Sequence, residues 1–557
     1  MYRKTVLLMT LMMSFLIVYG QGEGHHEDVV VVKPYNPMVD DAFKINISPV
    51  ITDTVVSRTP LTYEITPMKL STDIEIAPIK AARMSGMPQP ELYRLFLKTG
   101  FGNYTTPYFE VFYNSVRSRR GAYGIHYKHL SSMGKIPEYA YQGFSDNSFD
   151  AFATLFGKNH IFDFKGAYGR DVVHFYGRQD SLVNDTLDRE TIRQRFHTAS
   201  FDVGMKSNFY RGDNLNHRLG LQYKMINDAY ETTEHAAKFQ GDLDKLVTWF
   251  NFSRTQTIGL NTSAEFYSTQ MAEDTTTNTF DQLLVRINPY MQARIKDLDL
   301  RAGATAGYMS ENNGTLKLFP DISLKISLKE HKFILMGGLD GGMERSSFYA
   351  LTAINPYTIS DPEMRNTITK IRVYGGLRTA IGPRVTLTAR VSNESVANMA
   401  LYTADTSLLF QNRFKVLYDD GTILSLKAEL SYQAAEKLRI SGKVLYQDYN
   451  MNTELYAWHK PAFTGGLDVR YNLDDKILAY AELNYLADIR VKTYINNVEE
   501  DALLKNILDI NFGAEYRYSS LLSGFLRINN LAASKYNRWQ HYPAQRFNMM
   551  LGITYAL

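Results

Sequence analysis

Cysteine is absent from all 557 residues. That excludes a disulfide framework and any thiolate-ligated zinc or iron–sulfur centre. Long apolar runs are missing too, apart from one at the extreme N-terminus, so a polytopic helical membrane protein is excluded. Neither sign of charge is in excess: 61 Lys and Arg stand against 58 Asp and Glu. A formal charge of +3 on 63.7 kDa implies no nucleic-acid partner. Tryptophan is scarce, at 3 residues, but 38 Tyr and 30 Phe are far too many for a disordered chain. Catalytic signatures are also missing: there is no Gly-x-Ser-x-Gly, His-Glu-x-x-His, P-loop or EF-hand loop. The expectation is a protein that is not an enzyme and carries no cofactor. His25-His26-Glu27-Asp28 has metal-ligand residue types, but it reads as a solvated tail, and no metal site is expected.

The apolar run at the start has the layout of an export signal. Arg3 and Lys4 form a basic n-region, Val6 to Val18 an apolar h-region, and Val18 and Gly20 are small enough for cleavage after Gly20. The run is short for a membrane span of ~20 residues. Residues 1–20 are therefore expected to be a signal peptide. Residues 21–90 then hold 8 of the 17 prolines, from Pro34 to Pro90. Proline at that spacing disfavours long helices and central strands. The segment is expected to be an extended periplasmic leader or a reduced plug.

From residue 91 to the end the chain is written with period two. In 422–432, Leu424, Leu426, Ala428, Leu430 and Tyr432 oppose Ser425, Lys427, Glu429 and Ser431. In 508–518, Leu508, Ile510, Phe512, Ala514, Tyr516 and Tyr518 oppose Asp509, Asn511, Gly513, Glu515 and Arg517. The run from Leu316 to Leu328 alternates likewise, with Phe319-Pro320 as an interruption that predicts a bulge or a strand start. Such strands have one apolar and one wet face. A soluble sandwich would alternate too. Three features favour a transmembrane antiparallel β-barrel of the outer membrane: strands of ten or more residues, Tyr and Phe near the ends of apolar faces, and a chain that stops on a strand. On that last strand Phe547, Met549, Leu551, Ile553, Tyr555 and Leu557 share one face, with Met550 as the apolar exception on the other. This resembles the C-terminal signal that barrel assembly machinery reads, with Leu where that signal usually has Phe.

Short turns are expected at Lys329–Lys332, Gly382–Arg384, Ala434–Lys437, Leu473–Lys476 and Ser519–Ser520, and long loops at 178–193, 346–366, 451–461, 493–505 and 532–545. Counting a strand at 408–418 gives 23, which would leave the termini on opposite sides of the membrane. Reading 398–420 as one long connection, with or without a hairpin arm, gives about 22 strands, with a range of 20–24.

The closing stretch Gly524–Leu557 resembles the last hairpin of TonB-dependent receptors. It has a strand, an Asn530-Leu531 step, a Tyr-bearing loop and a last strand opened by Arg546-Phe547. About 22 strands agrees with that family. The run Glu27, Asp28, Val29, Val30, Val31, Val32 resembles its energy-coupling box, a short strand that pairs with a TonB-like periplasmic partner. The departure is length. Those receptors carry a plug of well over a hundred residues, whereas about 60 Pro-rich residues separate Val32 from the first strand here. The resemblance therefore implies a receptor barrel without a full plug.

If the apolar faces meet lipid, Lys427, Glu429, Arg439, Lys443, Asp468, Arg470, Glu482, Asp488, Arg490, Glu515 and Arg517 point into the lumen. They would form either a wet lining or a ladder of pairs across neighbouring strands. Trp458-His459 and Trp539-Gln540-His541-Tyr542 fall in long outer loops, where they would either dock a sugar or a surface lipoprotein, or pack the loops. Two functions follow: a receptor-like transporter or pore for a small solute, or a non-transporting scaffold subunit of an outer-membrane assembly, secretion or motility complex. The partners expected in either case are outer-membrane lipid and the barrel assembly machinery.

Overall fold

A strand whose side chains alternate can meet lipid on one face and water on the other, and its backbone is satisfied only by neighbours on both sides. The computed structural model describes Thr62, Glu64 and residues 92–557, except for 178–187, 210–213, 254, 273–276, 312–313, 329–331, 408–410 and 496–497. It is a closed barrel of 22 antiparallel crossings. Each strand pairs with its sequence neighbour, from Leu95–Gly102 to Ile477–Ile495. One crossing is interrupted. Ile477–Ile495 pairs with Ile507–Arg517 over one half and with Val498–Leu503 over the other. The ring closes where Asn548–Ala556 pairs with Leu522–Asn529 on one side and with Leu95–Gly102 on the other. At that seam Phe96 opposes Ala556 and Thr99 opposes Ile553. Among the described residues, no helix is long and apolar enough to cross a membrane.

One end of the barrel has tight turns, at 296–297, 382–384, 436–437 and 474–476 among others. Lys296, Asp474, Asp475 and Gly382 take the left-handed backbone that closes such turns. The opposite end carries long connections, 345–366, 452–460 and 530–547. The segment 398–420 continues two long strands, Val385–Ala404 and Phe414–Ala435, as a paired arm. Beyond a register shift at Val396/Met399, the pairing runs from Met399↔Asp419 to Ala404↔Phe414. This is why the region reads as a strand and yet adds no crossing. The region 493–505 is likewise a paired arm rather than an open loop.

Phe319-Pro320 marks neither a bulge nor a strand start. Thr315–Leu328 runs through it in unbroken register, with Phe319↔Thr305 and Pro320↔Ala304. Phe319 is buried with Leu284, Met309, Met343, Ile368 and Ala397. Pairing on the other side of the strand begins only at Asp321↔Asp340, so the missing proline N–H falls beyond that ladder.

The apolar faces are the exposed ones. Leu316 and Leu318 are 70% and 73% exposed, and Leu424, Leu426 and Leu430 are exposed as well. On the seam strand Met549, Leu551, Ile553 and Tyr555 are exposed, as is Leu557, whose carbonyl accepts the Leu95 N–H at 2.8 Å. Phe547 precedes that strand, half-buried, and its carbonyl accepts from Asn103 Nδ2 at 2.9 Å. Met550 lies on the other face, buried with Tyr108 and Phe525.

A charge on the apolar face at mid-depth costs roughly 2–4 kcal/mol in lipid. Leu426→Arg is therefore expected to lower stability by about that amount. Urea unfolding in lipid vesicles, followed by tryptophan fluorescence, measures it. A loss well under 1 kcal/mol would mean that this face does not meet hydrocarbon.

Candidate functional site: the polar wall and the packed long-loop end

The face opposite the exposed leucines carries the chain's charges, and it differs from one side of the ring to the other. Over the strands from Thr233–Val247 to Val385–Ala404, charges pair across strands. Glu265 bonds Arg286 and also holds Lys238 at 3.2 Å. Arg301 meets Asp321 at 3.0 Å. Arg372 makes two bonds to Asp340, at 2.8 and 3.1 Å, and reaches Glu394 at 3.7 Å. Bidentate pairs of this kind are directional and hold both side chains in place. These residues are not among the lumen charges named from the sequence, although the same period of two over residues 238–394 marks them.

The residues singled out in sequence lie on the other side, and they pair differently. Lys427 bonds Glu429 at 2.7 Å, Arg470 bonds Asp468 at 3.0 Å, and Arg517 approaches Glu515 at 3.9 Å. Each pair is two residues apart on one strand, not across strands. Among the described residues Arg439, Lys443 and Glu482 form no ion pair. Arg439 sits directly opposite Arg470 in the ladder, a like-charge juxtaposition that costs stability unless solvent or a counter-charge intervenes. Glu429, Arg439, Lys443, Asp468, Arg470 and Glu482 line one cavity of about 640 Å³, joined by Arg378. Asp488 and Arg490 do not line it. They lie where Ile477–Ile495 runs into its projecting arm, with Asp488 in the left-handed region. Arg490 bonds Asp488 at 3.2 Å and Asp501 at 3.0 Å. The acidic-valine run Glu27–Val32 lies outside the described residues.

At the long-loop end the connections pack on one another. Tyr176, Phe196, Phe348, Leu351, Met364, Tyr402, Phe414, Trp539 and Tyr542 form one buried cluster. Trp458 is 1% exposed and Trp539 7%, so neither offers a docking face; both are loop packing. The short helix Phe348–Ile354 is capped by Ser347, and the Phe348 N–H donates to the buried Glu234 carboxylate at 2.7 Å. Asp228 accepts from Gln194 and Ser360, joining the connections 228–232 and 345–366 to the strand Arg193–Ser207. The Tyr176 hydroxyl donates to the Pro543 carbonyl at 3.0 Å across most of the chain length.

His459 locks two of these loops. Its Nδ1 meets the Tyr402 carbonyl at 2.7 Å, and its Nε2 accepts the Gln540 N–H at 3.3 Å. That pairing requires the neutral ring with the proton on Nδ1. Burial drives the pKa down to about 4, and Arg538 and His541 further oppose a second positive charge.

No protein-family model matches the chain, and no curated protein matches it. Solved structures do. The ferripyoverdine receptor of the outer membrane of Pseudomonas aeruginosa, bound to ferripyoverdine, is similar at a TM-score of 0.64 and 11% identity, over 84% of this chain and 72% of that one. A mutant of the ferric enterobactin receptor of the same organism is similar at 0.61 and 11%, over 83% and 80%. The chain therefore has the barrel fold of TonB-dependent outer-membrane receptors. At this identity the likeness is one of fold.

The neutral His459 predicts an acid-sensitive closure. An opened loop takes up a proton near the ordinary imidazole pKa of about 6.5, while the closed form resists until about 4. Closure is thus fully favoured above the upper value and weakens as pH falls to the lower one. Amide exchange of residues 530–547, corrected for intrinsic rates, should lose protection between pH ~7 and ~4.5. The loss should be smaller in His459→Gln. An equal loss in both proteins would exclude His459 as the cause.

Proposed function

We propose that this protein is an outer-membrane transporter or pore for a small solute, with its tight turns on the periplasmic side and its long loops outside. The observation that carries the reading is the cavity wall between Arg378 and Glu482. There both charge signs face open space, and among the described residues Arg439, Lys443 and Glu482 form no ion pair. A barrel of this width has an aqueous interior unless something fills it, and a wall that needs solvent or a guest suits a path for polar solutes. The charges Lys427, Glu429, Arg439, Lys443, Asp468, Arg470, Glu482, Glu515 and Arg517 are then lumen residues. In this reading residues 21–90 act as the plug, and Glu27–Val32 is the point of contact for a TonB-like partner. The resemblance of the closing hairpin to receptors that take up bound ligands supports this. The strand ending Phe547–Leu557 serves as the assembly signal.

The packed long-loop end favours a second reading. A barrel whose mouth is filled by its own aromatic core suits a scaffold subunit that passes nothing. Single-channel conductance of the refolded mature chain in a planar bilayer separates the two, compared with a chain lacking residues 22–88. Transport predicts conductance that appears or rises when the leader is removed. Silence in both forms, with folding confirmed by heat-modifiable gel mobility, would remove the transport reading and leave the scaffold.

A further inference from the structure

The charged cavity of about 640 Å³ is more than a mixture of two signs. Side chains directly opposite each other on neighbouring strands share a face, where unlike charges attract and like charges repel. Here the register brings like together. Arg439 on Leu438–Met451 faces Arg470 on Pro461–Leu473. Asp468, on that same middle strand, faces Glu482 on Ile477–Ile495. All four residues line the cavity. The basic row and the acidic row are one two-residue step apart, about 7 Å along the strand, and about 8 Å once the offset of one strand is included.

The protein relieves only the middle of this arrangement. Arg470 bonds Asp468 at 3.0 Å along their own strand. Arg439 is left on one flank and Glu482 on the other, each beside a group of its own sign. Among the described residues neither forms an ion pair. Lys443, one row further from the tight turns, does not fill the gap. Its stem lies across Gly466, where a Cβ would meet Lys443 Cε at 2.6 Å, yet it forms no ion pair with Glu482. An anion alone would leave the acidic row facing itself, and a cation alone would leave the basic one. A guest that carries both signs relieves both repulsions at once.

We propose that this wall binds a short zwitterion with the charge layout of a dipeptide. Its carboxylate lies between Arg439 and Arg470, and its ammonium between Asp468 and Glu482. Two extended residues span about 7 Å and a single residue about half of that. With a hydrogen bond at each end, the dipeptide reaches both rows and a free amino acid does not. The inference rests on the reading of this wall as a path for polar solutes and names the class of solute.

The test is a ligand-observed NMR titration of the refolded mature chain in lipid nanodiscs with the dipeptide Ala-Ala. N-acetyl-Ala-Ala lacks the ammonium, Ala-Ala amide lacks the carboxylate, and alanine holds the two charges too close together. Ala-Ala is expected to bind, and each of the three analogues to bind at least tenfold more weakly. In Arg439→Gln the preference for Ala-Ala over the amide should shrink at least fivefold, while the preference over the acetylated form persists. Glu482→Gln should do the converse. A general disturbance of the wall would not separate the two preferences in this way. Both substitutions remove a like-charge neighbour, and heat-modifiable mobility checks that the variants fold. Absence of Ala-Ala binding, equal binding of any analogue, or unchanged preferences in both variants would overturn the proposal. Conductance without Ala-Ala binding would remove this ligand and leave the transport reading intact. Ala-Ala binding in a barrel that never conducts would keep the site and remove transport.

Discussion

In a hydrocarbon slab no water can reach an unpaired N–H or C=O, so a sheet survives there only if it has no edge. Every other feature of this chain depends on that closure. The seam between Asn548–Ala556 and Leu95–Gly102 joins residues at opposite ends of the barrel sequence. Until those two strands meet, both neighbours present open ladders to lipid. The seam strand therefore has to satisfy two partners at once while showing Leu551, Ile553 and Tyr555 to the outside. A strict period of two up to the last residue is what that double duty demands. The exception, Met550, packs against Tyr108 and Phe525 and so costs the other face nothing.

Closure also fixes where charge can go. With one face committed to lipid, ionisable side chains collect on the other, where neighbouring strands bring them within reach of each other. On one side of the ring the register places acid against base across strands, as in Asp340–Arg372–Glu394, and the wall is held by its own pairs. On the other side it places Arg439 against Arg470, and Lys427–Glu429, Asp468–Arg470 and Glu515–Arg517 pair along their own strands. Exposed pairs of that second kind are worth little, about 0–1 kcal/mol, and their side chains remain free to turn to another partner. The asymmetry is thus one of freedom as well as of charge: one wall is fixed, the other can reorganise.

The barrel was legible because its signal is local and repeated. The alternation of Leu424, Leu426, Leu430 and Tyr432 with Lys427 and Glu429 is a statement about one strand, and each further strand repeats it. The same locality explains what was misread and what stayed open. Phe319 breaks the pattern because it packs with Met343 and Ile368 on strands yet to come, and no window around residue 319 contains them. The arm at 398–420 has strand character without being a crossing, which only the count of crossings could detect. Whether Trp458 and Trp539 dock a partner or pack the loops stays open in sequence, because loops are usually exposed. Their burial depends on Tyr402, Phe414 and Tyr542, drawn from connections far apart in the chain. Ion pairing across strands was equally out of reach, since it depends on register, and register is set by turns and bulges rather than by composition.

The long-loop end is held together by hydrogen bonds, several of them to carboxylates, and by aromatic contacts. Glu234 receives the helix Phe348–Ile354, Asp228 gathers Gln194 and Ser360, and Asn366 joins Tyr267 to the Ser346 backbone. Glu234 and Tyr267 belong to the strands that open the cross-strand charge ladder, Thr233–Val247 and Thr255–Ala272, and Asp228 lies in the connection just before them. The helix and its loop are therefore fastened to the rigid side of the ring. The other side fastens the cap as well. The Ile359 N–H donates to the Phe414 carbonyl at 3.0 Å, and the Tyr418 hydroxyl donates to the Glu363 carbonyl at 2.8 Å. Phe414 and Tyr418 lie on Phe414–Ala435, the strand that further along carries Lys427 and Glu429. His459, in the connection after Leu438–Met451, holds Tyr402 and Gln540. The cap therefore spans both walls, and a shift of the softer one reaches it through that strand.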